Sequence, residues 1–138
     1  MPGRVTPMNA FTTKNWEEKI VSGTEGGPRV AYAHAAMAYD GVLEGESICD
    51  LLLYYAGEGY DSGQTTSPSF ERFEGKVDGR EGTFIVRHEY TFDAKGIAST
   101  FEVVPGSGTG ELAGLTGSGT VGGAMGEDKM GYTFEYTF

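Results

Sequence analysis

The segment Thr83–Phe92 alternates with period two: Phe84, Val86, His88, Tyr90 and Phe92 share one face, and Thr83, Ile85, Arg87, Glu89 and Thr91 the other. Successive side chains of a strand point to opposite sides, so an aromatic face backed by a mostly polar one predicts a strand with one side buried. The end of the chain repeats the pattern, with Tyr132, Phe134, Tyr136 and Phe138 alternating with Thr133, Glu135 and Thr137. Comparable β-prone runs recur at Asn9–Val21, Arg29–Tyr39, Glu44–Ala56, Ser69–Val77, Thr83–Phe92, Ile97–Val104, Leu115–Gly122 and Met130–Phe138. They are separated by clusters of Gly, Asp and Pro, among which Asp40-Gly41 and Asp78-Gly79 are strong hairpin signals. Beyond one helical turn at Glu111–Gly114, no stretch carries a helical stripe.

Eight sequential strands joined by short turns predict an all-β fold, a single domain over residues 1–138 with residues 1–8 as a flexible arm. An eight-stranded antiparallel up-and-down β-barrel is favoured over a sandwich. Closure leaves no sticky edge, and eight strands enclose room for packed side chains or one small ligand.

Face assignments differ in clarity from strand to strand. In the fourth run the more charged set, with Arg72, Glu74 and Lys76, belongs outside, which turns Glu71 inward with Phe73 and Val77. In the first run Lys14, Trp16 and Glu18 oppose Phe11, Thr13, Asn15 and Glu17, and pattern alone does not decide between the two faces. The second run sets Ala31, Ala33, Ala35, Met37 and Tyr39 on one side, small residues that fit a cavity. The third reads Leu51-Leu52-Leu53-Tyr54-Tyr55, apolar on both faces. A strand covered on both sides needs a cover outside, either a second subunit in a homo-oligomer or the N-terminal arm.

Composition narrows the function classes. Ten Lys+Arg against twenty Asp+Glu give a net charge of −10, which disfavours nucleic acid and anionic membranes as partners. One cysteine, Cys49, and two histidines offer no disulfide and no cysteine-based metal set, so no metal or cofactor is expected. With no apolar run of signal-peptide or membrane-spanning length, a cytoplasmic location is expected. Gly106-Ser107-Gly108-Thr109-Gly110 lacks the Gly-Lys-Ser/Thr ending of a phosphate-binding loop, and no helix follows it, so a structural barrel corner is the better expectation.

That motif extends to Val103-Val104-Pro105-Gly106-Ser107-Gly108-Thr109-Gly110-Glu111-Leu112-Ala113-Gly114-Leu115, followed by Thr116-Gly117-Ser118-Gly119. With Trp16-Glu17-Glu18, Leu43-Glu44-Gly45-Glu46, Phe70-Glu71-Arg72-Phe73 and Gly79-Arg80-Glu81-Gly82-Thr83-Phe84, it closely resembles an uncharacterised bacterial family of small proteins over about Ala10 to Phe138. That family looks like the eight-stranded barrel of plant allene oxide cyclase and dirigent proteins. Those proteins hold an apolar, reactive small molecule inside the barrel and steer its ring closure or coupling, and bacterial barrels of similar shape act as cyclases in polyketide assembly. The resemblance implies a type of site and no particular reaction. The leading expectation is a cofactor-independent cyclase or isomerase acting on a hydrophobic, polyketide-type molecule, beside a small-molecule-binding barrel without chemistry and a packed barrel serving as an oligomeric scaffold. At Tyr32, His34 and Met37 this chain carries bulkier groups than the family's usual small polar or basic residues, and no local motif aligns the catalytic acids of allene oxide cyclase.

Within this frame His88 is the candidate acid–base group, because imidazole changes charge near neutral pH and here stands alone among aromatics. It is equally read as a core histidine satisfied by Tyr90 or Glu71. Glu71 is costly to bury unpaired, so a His88–Glu71 pair explains both residues, either as a proton-transfer couple or as a structural network. Glu18, beside Trp16, is the third candidate acid, with Trp16 as a barrel-end plug the plainer alternative. Trp16, Met37, Tyr39, Tyr90, Phe101, Tyr132, Phe134 and Tyr136 are candidate ligand-lining residues if the barrel is hollow, and core if it is not. Cys49 reads as a small buried hydrophobe.

Overall fold

The computed structural model describes residues 9–57, 65–92, 96–124 and 129–138; the proposed arm at 1–8 lies outside them. Eight strands follow one another: β1 (Ala10–Gly23), β2 (Arg29–Asp40), β3 (Leu43–Tyr55), β4 (Thr65–Val77), β5 (Arg80–Phe92), β6 (Gly96–Val103), β7 (Thr116–Ala124) and β8 (Lys129–Thr137). Each pairs antiparallel with the next and β8 returns to β1, so the sheet closes into the expected barrel. Asp78 and Gly79 take φ of 49° and 83° and Val77 pairs directly with Arg80, the two-residue turn that Asp-Gly favours because both central residues must be left-handed. β4 starts at Thr65, earlier than the expected Ser69, because its pairing with β5 continues as far as Phe92.

β1 resolves what its sequence left open. It contains a β-bulge: Thr13 pairs with Met37, but Asn15 already pairs with Ala36, leaving Lys14 as the extra residue. An inserted residue inverts the alternation downstream. Phe11 is therefore buried inside, and beyond the bulge Trp16, Glu18 and Ile20 take the face of their partners Ala35, Ala33 and Ala31. β1 pairs with β8 only through Ala10–Thr12 and then runs on beside β2 alone to Gly23. Trp16 and Ile20 consequently remain 39% and 41% exposed although they stand on the inner face.

The end of the barrel carrying the β2–β3 and β4–β5 turns is sealed. β5 pairs with β6 only from Val86 onward, and the Gly-Ser-Gly-Thr-Gly segment takes the vacated edge. Val104 and Thr109 donate their backbone N–H groups to Ile85 and Thr83, the Ser107 hydroxyl accepts from the Ile85 N–H, and the Thr83 and Thr109 hydroxyls meet at 2.6 Å. A 3₁₀ turn, Gly110–Leu112, then buries Leu112 and Leu115 completely. The motif is a barrel corner. Above it Tyr39, Phe73, Phe84, Phe101, Tyr132 and Phe134 fill the lumen in edge and stacked contacts with centroids 5.1–6.1 Å apart. No helix among the described residues is long and apolar enough to cross a membrane.

The corner depends on a missing side chain, since a Cβ at Gly82 would overlap the Thr109 carbonyl oxygen. Gly82→Ala should therefore lower stability by about 1–3 kcal/mol, the usual range for forced overpacking. Urea unfolding should show a lower midpoint at unchanged slope.

Candidate functional site

Across the middle of the barrel, above the aromatic layer, lies a band of polar side chains. β3 supplies Ser47 and Cys49, β4 supplies Ser69 and Glu71, β5 supplies His88, and β6 supplies Ser99, and all six are buried. Each stands at an inward position of its strand, so ordinary alternation brings them together without special backbone.

Glu71 and His88 are almost fully enclosed, with side chains 3% and 1% exposed, and His88 Nε2 lies 2.6 Å from Glu71 Oε1. The other carboxylate oxygen, Oε2, accepts from the Tyr39 hydroxyl at 2.6 Å and from the Ser47 hydroxyl. His88 Nδ1 meets Ser99 Oγ at 2.9 Å, and Ser99 in turn donates to the Thr100 carbonyl at 3.1 Å. With its own proton spent on Thr100, the Ser99 oxygen is left as an acceptor for Nδ1–H, while Nε2–H faces the carboxylate. That count of donors and acceptors describes an imidazolium–carboxylate ion pair.

Electrostatics agree with the count. Burial alone would raise the Glu71 carboxyl, but the hydrogen bond and charge of His88, with the Ser47 and Tyr39 hydroxyls, outweigh it and hold the group below its ordinary 4.5. Burial, then the Glu71 charge, raises the Tyr39 phenol well above its usual value and likewise raises the Cys49 thiol. Tyr90 is also raised, by burial first and then by Cys49 and Glu71. The band therefore holds one fixed carboxylate among phenol and thiol groups that keep their protons. Cys49 Sγ approaches Ser69 Oγ at 3.7 Å and is no nucleophile, because a thiol needs a lowered pKa to react.

Above the band the lumen opens into a cavity of about 40 Å³ lined by Phe11, Thr13, Trp16, Met37, Leu51, Tyr90, Ile97 and Met130. That is space for about one water, against roughly 300–1,000 Å³ for ordinary ligand pockets. The Tyr90 ring stacks on the His88 imidazole at 4.6 Å and 22°, so it forms a floor between cavity and ion pair. Near the mouth Glu18 accepts from Trp16 Nε1 at 2.9 Å and from the Tyr55 hydroxyl at 2.8 Å, and the Arg29 guanidinium lies 4.5 Å from the Tyr55 ring centroid.

Of the expected residues, His88 and Glu71 meet directly, whereas Glu18 sits apart from them in the mouth network. Trp16, Met37 and Tyr90 line the cavity. Tyr39, Phe101 and Phe134 belong to the packed lower half. Tyr132 bonds the Leu43 N–H and the Asp40 carbonyl across the β2–β3 turn, and Tyr136 is half-buried beside Phe134 at the sealed end. These five are core or latch residues because the lower lumen is full. His88 finds its partners in Glu71 and Ser99, while Tyr90 stacks on it without bonding either nitrogen. Ser47 and Ser99 were missed; the available signal was a serine at an inward position of an otherwise apolar face.

Fold and site together define a closed eight-stranded barrel with an ion pair inside. Residues 8–136 match the model of the family described as "Protein of unknown function (DUF3224)", and the chain belongs to that family. A crystal structure of a DUF3224 protein of unknown function from Shewanella oneidensis MR-1 has the same fold, with a TM-score of 0.70 and 23% identity over 96% of this chain and 98% of that one. No curated protein matches.

Glu71→Gln breaks the buried pair with His88 and should cost about 3–5 kcal/mol at neutral pH. The depressed carboxyl makes its stabilisation fully present above the ordinary Glu value of 4.5 and lost as pH falls through the lower folded value. In urea titrations at a series of pH values, wild type should lose more stability in acid than Glu71→Gln, whose curve lacks this component.

Proposed function

We propose that this protein binds a hydrophobic small molecule in the upper half of its barrel and acts on it as a cofactor-independent cyclase or isomerase. The observation that carries the proposal is the buried His88–Glu71 pair lying one ring below an apolar cavity. A charge pair is expensive to bury, and the sealed lower half is packed by aromatic rings and leucines, with Tyr132 hydrogen-bonded to the β2–β3 turn. A ligand entering from the mouth would meet the Tyr90 ring, with the pair directly beneath it.

Occupancy requires the cavity to grow. The means are at hand: Met37 and Met130 are unbranched and adaptable, and Trp16 is held mainly from one side because β1 has left β8. With a ligand seated, the Tyr90 hydroxyl, which keeps its proton, donates to a carbonyl or epoxide oxygen. Displacement of the Tyr90 ring brings the His88 imidazole within reach for proton transfer, with Glu71 balancing its charge. Holding a flexible chain folded in a dry lumen lowers the entropic barrier to ring closure. The likeness to allene oxide cyclase and dirigent barrels, and a polyketide-type substrate, fit this chemistry.

A non-catalytic binder is the second reading, favoured by the full set of partners around His88. Native mass spectrometry of the purified protein and thermal shift against apolar polyenes and epoxides separate the two. Catalysis predicts turnover that falls at least 100-fold in His88→Asn with binding retained, as for loss of an acid–base group. Binding without turnover in wild type supports the carrier. Absence of any bound or binding molecule, in wild type and in Trp16→Ala with its widened mouth, would sink both.

A further inference from the structure

Three side chains of the buried polar band carry the donor atoms of a metal site. Cys49, Glu71 and His88 each offer one ligand atom, and these atoms all lie within 4.8 Å of one another. Register alone assembles them: Cys49 on β3 pairs directly with Glu71 on β4, and His88 on β5 pairs with Ser69, the next inward position along β4. No spacing in the sequence marks such a set, because each ligand stands on a different strand.

Each donor is also held from behind. His88 Nδ1 meets Ser99 Oγ at 2.9 Å, so Nε2 is the nitrogen turned toward Glu71 Oε1. The other carboxylate oxygen, Oε2, is taken by the Tyr39 and Ser47 hydroxyls. Ser69 Oγ lies 3.7 Å from Cys49 Sγ. Metal-binding imidazoles and carboxylates are oriented by outer hydrogen bonds of this kind. An ion pair needs only His88 and Glu71, and the thiol at the same level adds a soft third donor.

We propose that the band binds one zinc(II) ion through Cys49 Sγ, Glu71 Oε1 and His88 Nε2. Thiolate, imidazole and carboxylate together suit zinc, whereas calcium and magnesium take oxygen ligands. Loading expels two protons to solvent, one from the thiol and one from Nε2, since both groups coordinate deprotonated. The dication is then matched by thiolate and carboxylate, so the interior is neutral with zinc as it is with the ion pair. Tetrahedral ligand atoms around zinc sit about 3.3–3.6 Å apart. Nε2 and Oε1, now 2.6 Å apart, therefore separate by less than about 1 Å as the metal replaces their shared proton. The Tyr90 ring, stacked on His88 and lining the cavity, stands between this site and the mouth. Loading thus requires that ring to move or the chain to fold around the ion. The inference does not rest on the catalytic reading, because a bound ion withdraws His88 and Glu71 from proton transfer.

The test is to unfold the protein in urea, strip it with a chelator and refold it with and without zinc. Elemental analysis after desalting should find one zinc per chain, and the zinc form should unfold at higher urea. Cobalt(II) in its place should give a near-ultraviolet thiolate-to-cobalt band and the strong visible bands of a four-coordinate ion. Cys49→Ala should abolish the thiolate band and weaken zinc at least about 100-fold, and Ser99→Ala, which releases the imidazole, roughly 10- to 100-fold. His34→Asn removes the other histidine, outside the barrel, and should change neither. A chain that regains its native circular dichroism without retaining zinc overturns the proposal. So does zinc held equally by Cys49→Ala, or zinc lost in His34→Asn, which would place the ion at the outer His34–Asp50 pair.

Discussion

A carboxylate that has lost nearly all contact with water sets the terms for this barrel. Moving an ion from water into a protein interior costs several kcal/mol even after relaxation, and it is tolerated only with a close counter-ion and fully used lone pairs. Glu71 has the counter-ion in an imidazole on β5, and its other oxygen accepts from a phenol on β2 and a hydroxyl on β3. Three neighbouring elements are thereby held in register with β4. A slip of one residue in any of these pairings would point its donor to the solvent side and leave the charge unanswered.

The ion pair also divides the lumen. Below it, ring stacks and two leucines delivered by the Gly-Ser-Gly-Thr-Gly corner fill the space, and Tyr132 ties that packing to the β2–β3 turn. Above it β2 contributes Met37 and three alanines, and β1 departs from β8 after three pairs. Packing is therefore looser on the side where Trp16 and Ile20 remain exposed. The open space of the lumen lies on that side. Tyr90 stands between the two regions: its ring stacks on the imidazole, and the residue lines the cavity.

The outer surface follows a separate logic. Closure into a barrel answers the backbone hydrogen bonds of the sheet but does nothing for an apolar outer face. The β2–β4 exterior keeps exposed leucine, isoleucine, tyrosine and phenylalanine beside a self-contained Tyr32–His34–Asp50 cluster. Tyr32 and His34 are the groups that engage the Asp50 carboxylate within that face.

Sequence alone determined the strand count, the antiparallel order, the Asp78-Gly79 hairpin and the inward placement of His88 and Glu71. Each follows from period-two alternation or local turn chemistry, which act over a few residues. The corner role of Gly106–Gly110 was legible for the same reason. Tertiary structure decided the rest. The bulge at Lys14 inverted the faces of β1, and one extra residue leaves no trace in composition. Ser47, Ser99 and Tyr39 became partners of the ion pair only because closure carries β2, β3 and β6 around to the same level. How much of the lumen remains open depends on the summed volume of rings contributed by six strands, a quantity no single segment encodes.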